Sequence, residues 1–350
     1  MKAVVYSIKS FEKEYLAKAN QKKHDITLIS NPLGIDTVGF AQGKDAVIVF
    51  TNDDVSAPVI KKLKKLGVKY IATRSVGTDH IDCETATAVD IKIANVPSYS
   101  PQSIAEHAIA LMMALNRKIF IAIQQSKELS FKLDGLQGFT MYGKTVGLIG
   151  FGQIAQFLAR ILNGFGCNVL VYDPYCKIYP DHVKRVELSE LYKQSNIISL
   201  NAALTDETKD MINAESISQM RKDVMLINTS RGALINTKDL VAALKKGRIA
   251  SFGADVYESE KNLSFEDDQL GEDKEKSLRL LTDLPNVVVT PHQAFLTTEA
   301  LQDIAAQTIK NLDLWQLGQC TGDACACTTV CEENLKNRES LDDSTVDILF

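Results

Sequence analysis

Three side chains suited to moving a proton and gripping a small acid follow strand-like runs. Arg231 lies just past Met225–Asn228, Glu260 lies past the run ending at Ala254, and His292 lies past Val287–Thr290. If those runs are neighbouring parallel strands, the three residues share the carboxyl edge of one sheet, where ligands bind in open α/β folds. Reducing a ketone by hydride transfer needs an acid for the developing alkoxide, and a histidine titrates in the right range. A carboxylate partner fixes its tautomer and favours the imidazolium. A guanidinium can hold a substrate carboxylate through two parallel bonds and polarise the adjacent carbonyl. Arginine, glutamate and histidine on one edge therefore suit chemistry on 2-keto and 2-hydroxy acids.

A hydride donor is signalled by Thr145–Asp173, TVGLIGFGQIAQFLARILNGFGCNVLVYD. An apolar run, a glycine turn, an amphipathic stretch and a second apolar run ending in an acid make a strand–turn–helix–strand unit. Gly150 permits the tight turn, and Gly152 lets a pyrophosphate approach the backbone. The following helix N-terminus favours phosphate, and Ala155 replaces the third glycine. Ile154, Phe157, Leu158, Ile161 and Leu162 form the expected apolar face of that helix. Asp173, roughly 20 residues on, can accept from the ribose hydroxyls and repels a 2′-phosphate, so NAD is expected over NADP. The fold expected is α/β, with two Rossmann-like domains built on parallel sheets: a flavodoxin-like substrate domain and a classical NAD-binding domain.

The chain has 350 residues, enough for two domains. Its hydrophobic content of 45% and charged content of 24% are those of a globular protein. A net charge of −5 argues against nucleic acid as the main partner. MKAVVYSI reads as a first strand, no run reaches membrane-spanning length, and a cytoplasmic protein is expected. The seven cysteines are read as reduced thiols.

Ahead of the glycine turn, strand-like runs at Ala3–Tyr6, Ile26–Ile29, Ala46–Val49, Tyr70–Ala72 and Ile91–Ala94 alternate with helical patterns such as Ala57–Leu66. The stretch Arg74–His80 follows one strand end, and its backbone N–H groups could hold a small carboxylate. A single helix is expected from Ser100 through Ile119, crossing between domains or entering a subunit interface. Glu106 and His107 on it are read as a structural pair at the domain junction. Residues 297–318 are expected to form a helix returning to the first domain. The expected boundaries are residues 1–98 with 298–319 for the substrate domain and 99–297 for the NAD-binding domain. Residues 320–350 are expected to be a flexible tail. Its Cys320, Cys325, Cys327 and Cys331 match no standard metal spacing, so no metal is expected.

The stretches RSVGTDHID, NVPSYSPQSIAEHA, GFTMYGKTVGLIGFGQIA, NTSRGALI, ADVYESE and PHQAFLTTEAL together resemble the D-isomer-specific 2-hydroxyacid dehydrogenase family across most of residues 1–318. The resemblance implies Arg231 as a substrate-binding and catalytic residue, Glu260 as the partner of the histidine, and His292 as the proton donor. It implies substrate contacts from the backbone of Val76 and Gly77 and from Tyr99, with Phe295 bearing on substrate choice. The cofactor contacts it implies are Gln153, Ile154, Asp173, Ala202, Ala203, Thr208, Thr229, Ser230, Arg231 and Asp255, beside Gly150 and Gly152. The family usually carries a histidine and a proline after Ile197–Leu200. Here the loop reads Asn201-Ala202-Ala203, and altered cofactor affinity is expected.

The activity expected is NADH-dependent reduction of pyruvate to D-lactate by a homo-oligomer, dimer or tetramer. One alternative is another 2-keto acid such as hydroxypyruvate, glyoxylate or a branched chain. Another is an NAD-sensing corepressor on the same fold. A formate dehydrogenase is disfavoured, because that branch pairs its histidine with glutamine where this chain offers Glu260.

Overall fold

The computed structural model describes residues 1–258 and 278–327. The chain divides into two compact units, Met1–Tyr99 with the segment from Thr297, and Ser100–Leu296.

The first unit is a five-stranded parallel sheet of β1 (Lys2–Val5), β2 (Asp25–Leu28), β3 (Ala46–Val49), β4 (Tyr70–Thr73) and β5 (Lys92–Ala94), in the order β2-β1-β3-β4-β5. This is the flavodoxin-like order. β3 is buried at all four positions, as a parallel strand covered on both faces must be. Helices α1 (Lys13–Asn20), α2 (Ala57–Lys65) and α3 (Cys83–Ala88) connect the strands. Val47, Val49, Val59, Ile60, Leu63, Ile71 and Ile93 fill one face. The helix Thr298–Gln316 covers the other, where Ile309, Leu312 and Trp315 pack on Val5, Ile48 and Ala72. Trp315 stacks on Tyr70 with ring centroids 4.7 Å apart.

The start of the tail departs from the expected flexible segment. A short 3-10 turn, Gly322–Ala324, leads Cys325 into an antiparallel bridge with Ala94, so the tail extends the sheet beyond β5. The Ala326 N–H donates to Ile93 O at 3.0 Å, and the Asn95 N–H donates to Ala324 O at 2.9 Å. An edge strand with unpaired amides is a template for such pairing, and tail spacing alone does not reveal it.

The second unit holds seven parallel strands: β6 (Thr145–Ile149), β7 (Asn168–Tyr172), β8 (Lys184–Arg185), β9 (Ile197–Leu200), β10 (Val224–Asn228), β11 (Ile249–Ala254) and β12 (Val287–Val289). Their order, β12-β11-β10-β9-β6-β7-β8, reverses between β6 and β9. That reversal is the crevice in which doubly wound sheets bind nucleotides.

Two helical readings need correction. The helix from Ser100 ends at Asn116, giving α4 (Pro101–Asn116), and restarts after Lys118 as α5 (Ile119–Lys127). Lys118 sits at φ +52°, and the buried Asn116 side chain turns away to bond both the N–H and the C=O of Phe139. α4 belongs to the second unit, where Ala105, Ala108, Leu111 and Met112 join a core with Leu148 and Leu158. In α6 (Gln153–Gly164) the fully buried stripe is Ala155, Leu158, Ala159 and Leu162, and Ile154, Phe157 and Ile161 are only half-buried. Small side chains let the helix lie close to the strands, so alanines take the innermost positions.

Candidate active site

The glycine turn is built as its spacing requires. Gly150 has φ +89°, and a Cβ there would lie 2.7 Å from the carbonyl carbon of Asn201, on the neighbouring strand's exit. Any side chain at this point would push β6 and β9 apart. Gly152 has open space where a Cβ would stand, and it caps the N-terminus of α6 in extended conformation. The open backbone, the helix start and the switch point together make an anion cradle.

Asp173 closes the turn. Its Oδ2 accepts the Phe151 N–H at 2.7 Å, and its Oδ1 accepts the N–H groups of Tyr175 and Cys176 at 2.8 and 3.0 Å. Partial burial pushes the carboxyl up, but these three donors outweigh it and hold the group below the usual range. A carboxylate offers about four acceptor positions, so Oδ2 keeps one for a ribose hydroxyl.

Across the switch point, the Asn201 N–H donates to Ile149 O at 2.7 Å. Thr208 folds the loop back by donating to Ala203 O at 2.7 Å, and Ala202 is half-buried while Ala203 is exposed. The buried Asn201 Oδ1 and Thr229 Oγ1 have no hydrogen-bond partner among the described residues. Such atoms are costly to bury unless something completes them. Their place at the ends of β9 and β10, beside the cradle, fits a dinucleotide.

Arg231 follows β10 in a pinned loop. Asn228 accepts from the Ser230 N–H and donates to Arg231 O, the Ser230 hydroxyl donates to Leu200 O, and the Arg231 guanidinium donates to Ser230 O at 2.9 Å. A Cβ on Gly232 would lie 2.1 Å from the carbonyl carbon of Tyr257. The chain leaving β11 thus crosses directly over the arginine loop. Glu258, just beyond, accepts from Thr237. Glu260 lies outside the described residues.

The loop after β12 is held by one carboxylate. Asp255, 1% exposed, accepts the Gln293 N–H at 2.9 Å, the Ala294 N–H at 2.7 Å and the Thr290 hydroxyl at 2.5 Å. His107 Nε2 stands 2.9 Å from Thr290 Oγ1 and 3.4 Å from Asp255 Oδ1. Burial pushes Asp255 up, and His107, Thr290 and the two amides more than reverse it. His292 is thereby fixed at φ +51°, half-buried, with its ring edge-on to Phe295 at 6.4 Å between centroids. His107 belongs to this second unit and braces the loop that presents His292. No spacing along the chain pairs a residue on α4 with one past β12.

In the first unit, Val76 and Gly77 follow β4. The Ser75 hydroxyl donates to Gly77 O at 2.7 Å, Asn95 Nδ2 donates to Val76 O at 2.7 Å, and the Val96 N–H donates to Ser75 O at 3.0 Å. Among the described residues the N–H groups of Val76 and Gly77 have no partner. Beneath them Arg74, 1% exposed, pairs with Glu12 at 2.9 Å and donates to Tyr6 O. Tyr99 closes this unit, half-buried. Among the described residues no helix is long and apolar enough to cross a membrane. No group of three or more His, Cys, Asp or Glu among them is arranged to hold a metal ion.

Residues 109–294 match the model of the D-isomer specific 2-hydroxyacid dehydrogenase NAD binding domain. The chain is 43% identical over 322 residues to a D-lactate dehydrogenase of Escherichia coli, covering 91% of this chain and 98% of that one. A solved structure of the pyruvate reductase of Chlamydomonas reinhardtii superposes with a TM-score of 0.85 at 41% identity, covering 92% of this chain and 98% of that one. A D-lactate dehydrogenase of Lactobacillus jensenii solved with NAD+ gives a TM-score of 0.76 at 32% identity, covering 92% of this chain and 98% of that one. NAD is the cofactor that the matched domain takes. The chain belongs to the D-isomer specific 2-hydroxyacid dehydrogenase family.

Proposed function

We propose that the protein reduces pyruvate to D-lactate with NADH, and runs the reverse reaction with NAD. The observation that carries this reading is the anchored loop that presents His292, set on the same sheet edge as Arg231 and the nucleotide cradle. The near-full-length similarity to D-lactate dehydrogenases supports pyruvate over larger keto acids.

In this reading Gly150, Gly152, Gln153 and Ile154 line the pyrophosphate, and Asp173 takes the adenosine ribose. Ala202, Ala203, Thr208, Thr229, Ser230 and Asp255 border the rest of the cofactor. When bound, the nicotinamide supplies or accepts the hydride at the substrate's second carbon. The Val76 and Gly77 amides and Tyr99 receive the substrate carboxylate. Arg231 grips that carboxylate and polarises the carbonyl, and Phe295 limits the side chain that can follow. His292 gives its proton to the nascent alkoxide, and takes it back when D-lactate is oxidised. Glu260 partners the histidine and favours its cationic form. The proposed division of labour gives residues 1–98 with 298–319 to substrate and 99–297 to NAD, within a residue of where the two compact units part.

A homo-oligomer, dimer or tetramer, is part of the proposal. Phe120, Ile123, Leu129, Phe131 and Leu133 are all exposed along one stretch, and clustered exposed apolar side chains favour association. A cytoplasmic setting accords with six described cysteines standing as thiols.

The test is NADH oxidation with a panel of 2-keto acids, with chiral analysis of the product. Fastest turnover on pyruvate yielding D-lactate is expected. A strong preference for a branched or hydroxylated keto acid, or no turnover at all, would reject the reading.

A further inference from the structure

The tail bridge brings three thiols to the edge of the first unit. Cys325 pairs with Ala94. The Cys327 sulfur accepts the Ile93 N–H at 3.4 Å and reaches Ile93 O at 3.8 Å. The Cys325 thiol is within hydrogen-bonding reach of both Cys327 and Cys320. All three are partly exposed and so open to small oxidants. The same backbone leads to the substrate loop. Ala324 O receives the Asn95 N–H at 2.9 Å, and Asn95 Nδ2 donates to Val76 O at 2.7 Å. The Asn95 carbonyl is held in turn by Asn311 Nδ2 at 2.9 Å. One asparagine thus ties the cysteine segment to the amides of Val76 and Gly77.

We propose that Cys325 and Cys327 form a reversible disulfide that weakens substrate binding through Asn95. Cys327 is assigned as the attacking sulfur, because the Ile93 N–H donates to it. Hydrogen bonding to Cys327, and then burial, push the Cys325 thiol up, so that residue keeps its proton. With hydrogen peroxide as oxidant, the Cys327 thiolate attacks one oxygen and the O–O bond breaks. The products are a sulfenic acid and a hydroxide, which takes a proton to become water. The Cys325 sulfur then attacks the sulfenic sulfur, the S–S bond forms, and the S–O bond breaks as a second water leaves. Two thiols lose two electrons and the peroxide gains them.

Residues two apart on extended backbone lie about 6.6 Å apart at the usual strand rise. Disulfides keep their Cα atoms within about 4.4–6.8 Å. Closure at the most common Cα spacing of about 5.5–6 Å draws Cys325 and Cys327 together and strains the Ala94–Cys325 pairing. The Ala324–Asn95 bond loosens with it, and so does the hold on Val76. Arg231 and His292 belong to the other unit, so the effect falls on substrate affinity more than on turnover.

The consequence for pyruvate rests on the proposed function; the disulfide itself does not. The full-length reduced enzyme is compared with enzyme treated with peroxide, by differential alkylation and peptide mass mapping and by pyruvate kinetics. The expected result is a Cys325–Cys327 bond and a KM for pyruvate raised by about tenfold, the equivalent of one hydrogen bond. Little change in kcat and recovery with dithiothreitol are also expected. Reduced Cys325→Ser and Cys327→Ser should match the reduced wild type and show no peroxide response, and Cys320→Ser should respond like the wild type. A bond between other cysteines, or a Cys325–Cys327 bond with unchanged KM, would overturn the proposal. A Cys325–Cys327 bond in an enzyme that never turns over pyruvate would sink the functional reading and leave the thiol site standing.

Discussion

Both units hold loops with buried carboxylates that accept backbone N–H groups, yet the carboxylates behave in opposite ways. In the second unit Asp255 takes two amides, a hydroxyl and His107, and it is held below the ordinary carboxylate range. In the first unit Asp53 takes the N–H groups of Leu33 and Phe50 and the Ser7 hydroxyl, and burial pushes it up despite them. The difference lies in burial and in the donors. His107 and Thr290 join two amides at Asp255, whereas the more deeply buried Asp53 has two amides and the Ser7 hydroxyl, and the Arg74 guanidinium, bonded to Glu12, pulls on it least of all. The loop that carries His292 is fastened by a carboxyl held below its ordinary range. The first unit is fastened by a group that burial drives toward neutrality.

The largest effect expected from breaking this contrast is at Asp255. Asp255→Ala unfastens residues 290–294, and pyruvate turnover should fall by about a hundredfold, the scale of a misplaced catalytic group. The mutant's turnover, measured with NADH affinity as a control, checks this. A loss below about threefold would show that the loop holds itself. Asp173→Ala should have a smaller effect. It removes a ribose acceptor and the charge that repels a 2′-phosphate, so the preference for NADH over NADPH should narrow by about tenfold. Equal use of both cofactors by the native enzyme would refute that role. Asp53→Asn should change turnover least and act on stability, because an amide NH2 cannot accept the Phe50 N–H; about 1–3 kcal/mol is expected.

The pH dependence sharpens the contrast further. The Asp255 carboxyl is lowered from its usual 3.8, so its stabilisation is present above that value and is lost as pH falls through the lower folded value. The Asp53 carboxyl is raised from 3.8, so the wild type loses stability relative to a neutral isostere as pH rises above 3.8. Thermal melts of wild type, Asp255→Asn and Asp53→Asn across acidic pH should show wild-type advantages that move in opposite directions. Parallel trends would mean that the two anchors are electrostatically alike.

The nucleotide half of the site was legible because its chemistry is local. Gly150, Gly152 and Asp173 sit in one strand–turn–helix–strand unit, and the spacing alone fixes what each can do. The strand ends that carry Arg231 and His292 were legible for the same reason. What binds distant segments was not. His107 on α4 meets Asp255 and Thr290 only after the sheet has formed, and nothing along the chain marks that pairing. Arg74, at the start of the stretch read as a carboxylate-binding loop, forms a buried ion pair with Glu12, and no local spacing marks that partner. The start of the tail, at Ala324–Ala326, was misread because edge pairing with β5 uses backbone amides, which every sequence has. Helix breaks such as the one at Lys118 depend on one left-handed residue and on the distant anchor Asn116–Phe139.

The central claim is that His292, held by the Asp255-anchored loop, moves the proton that accompanies hydride transfer. The most direct measurement is pyruvate reduction and D-lactate oxidation by His292→Ala, with NADH affinity followed by fluorescence. Both directions should fall by roughly 10²–10⁴, the usual loss for a general acid–base, while NADH binds as before. Turnover within about threefold of wild type in either direction, far above that range, would contradict the account.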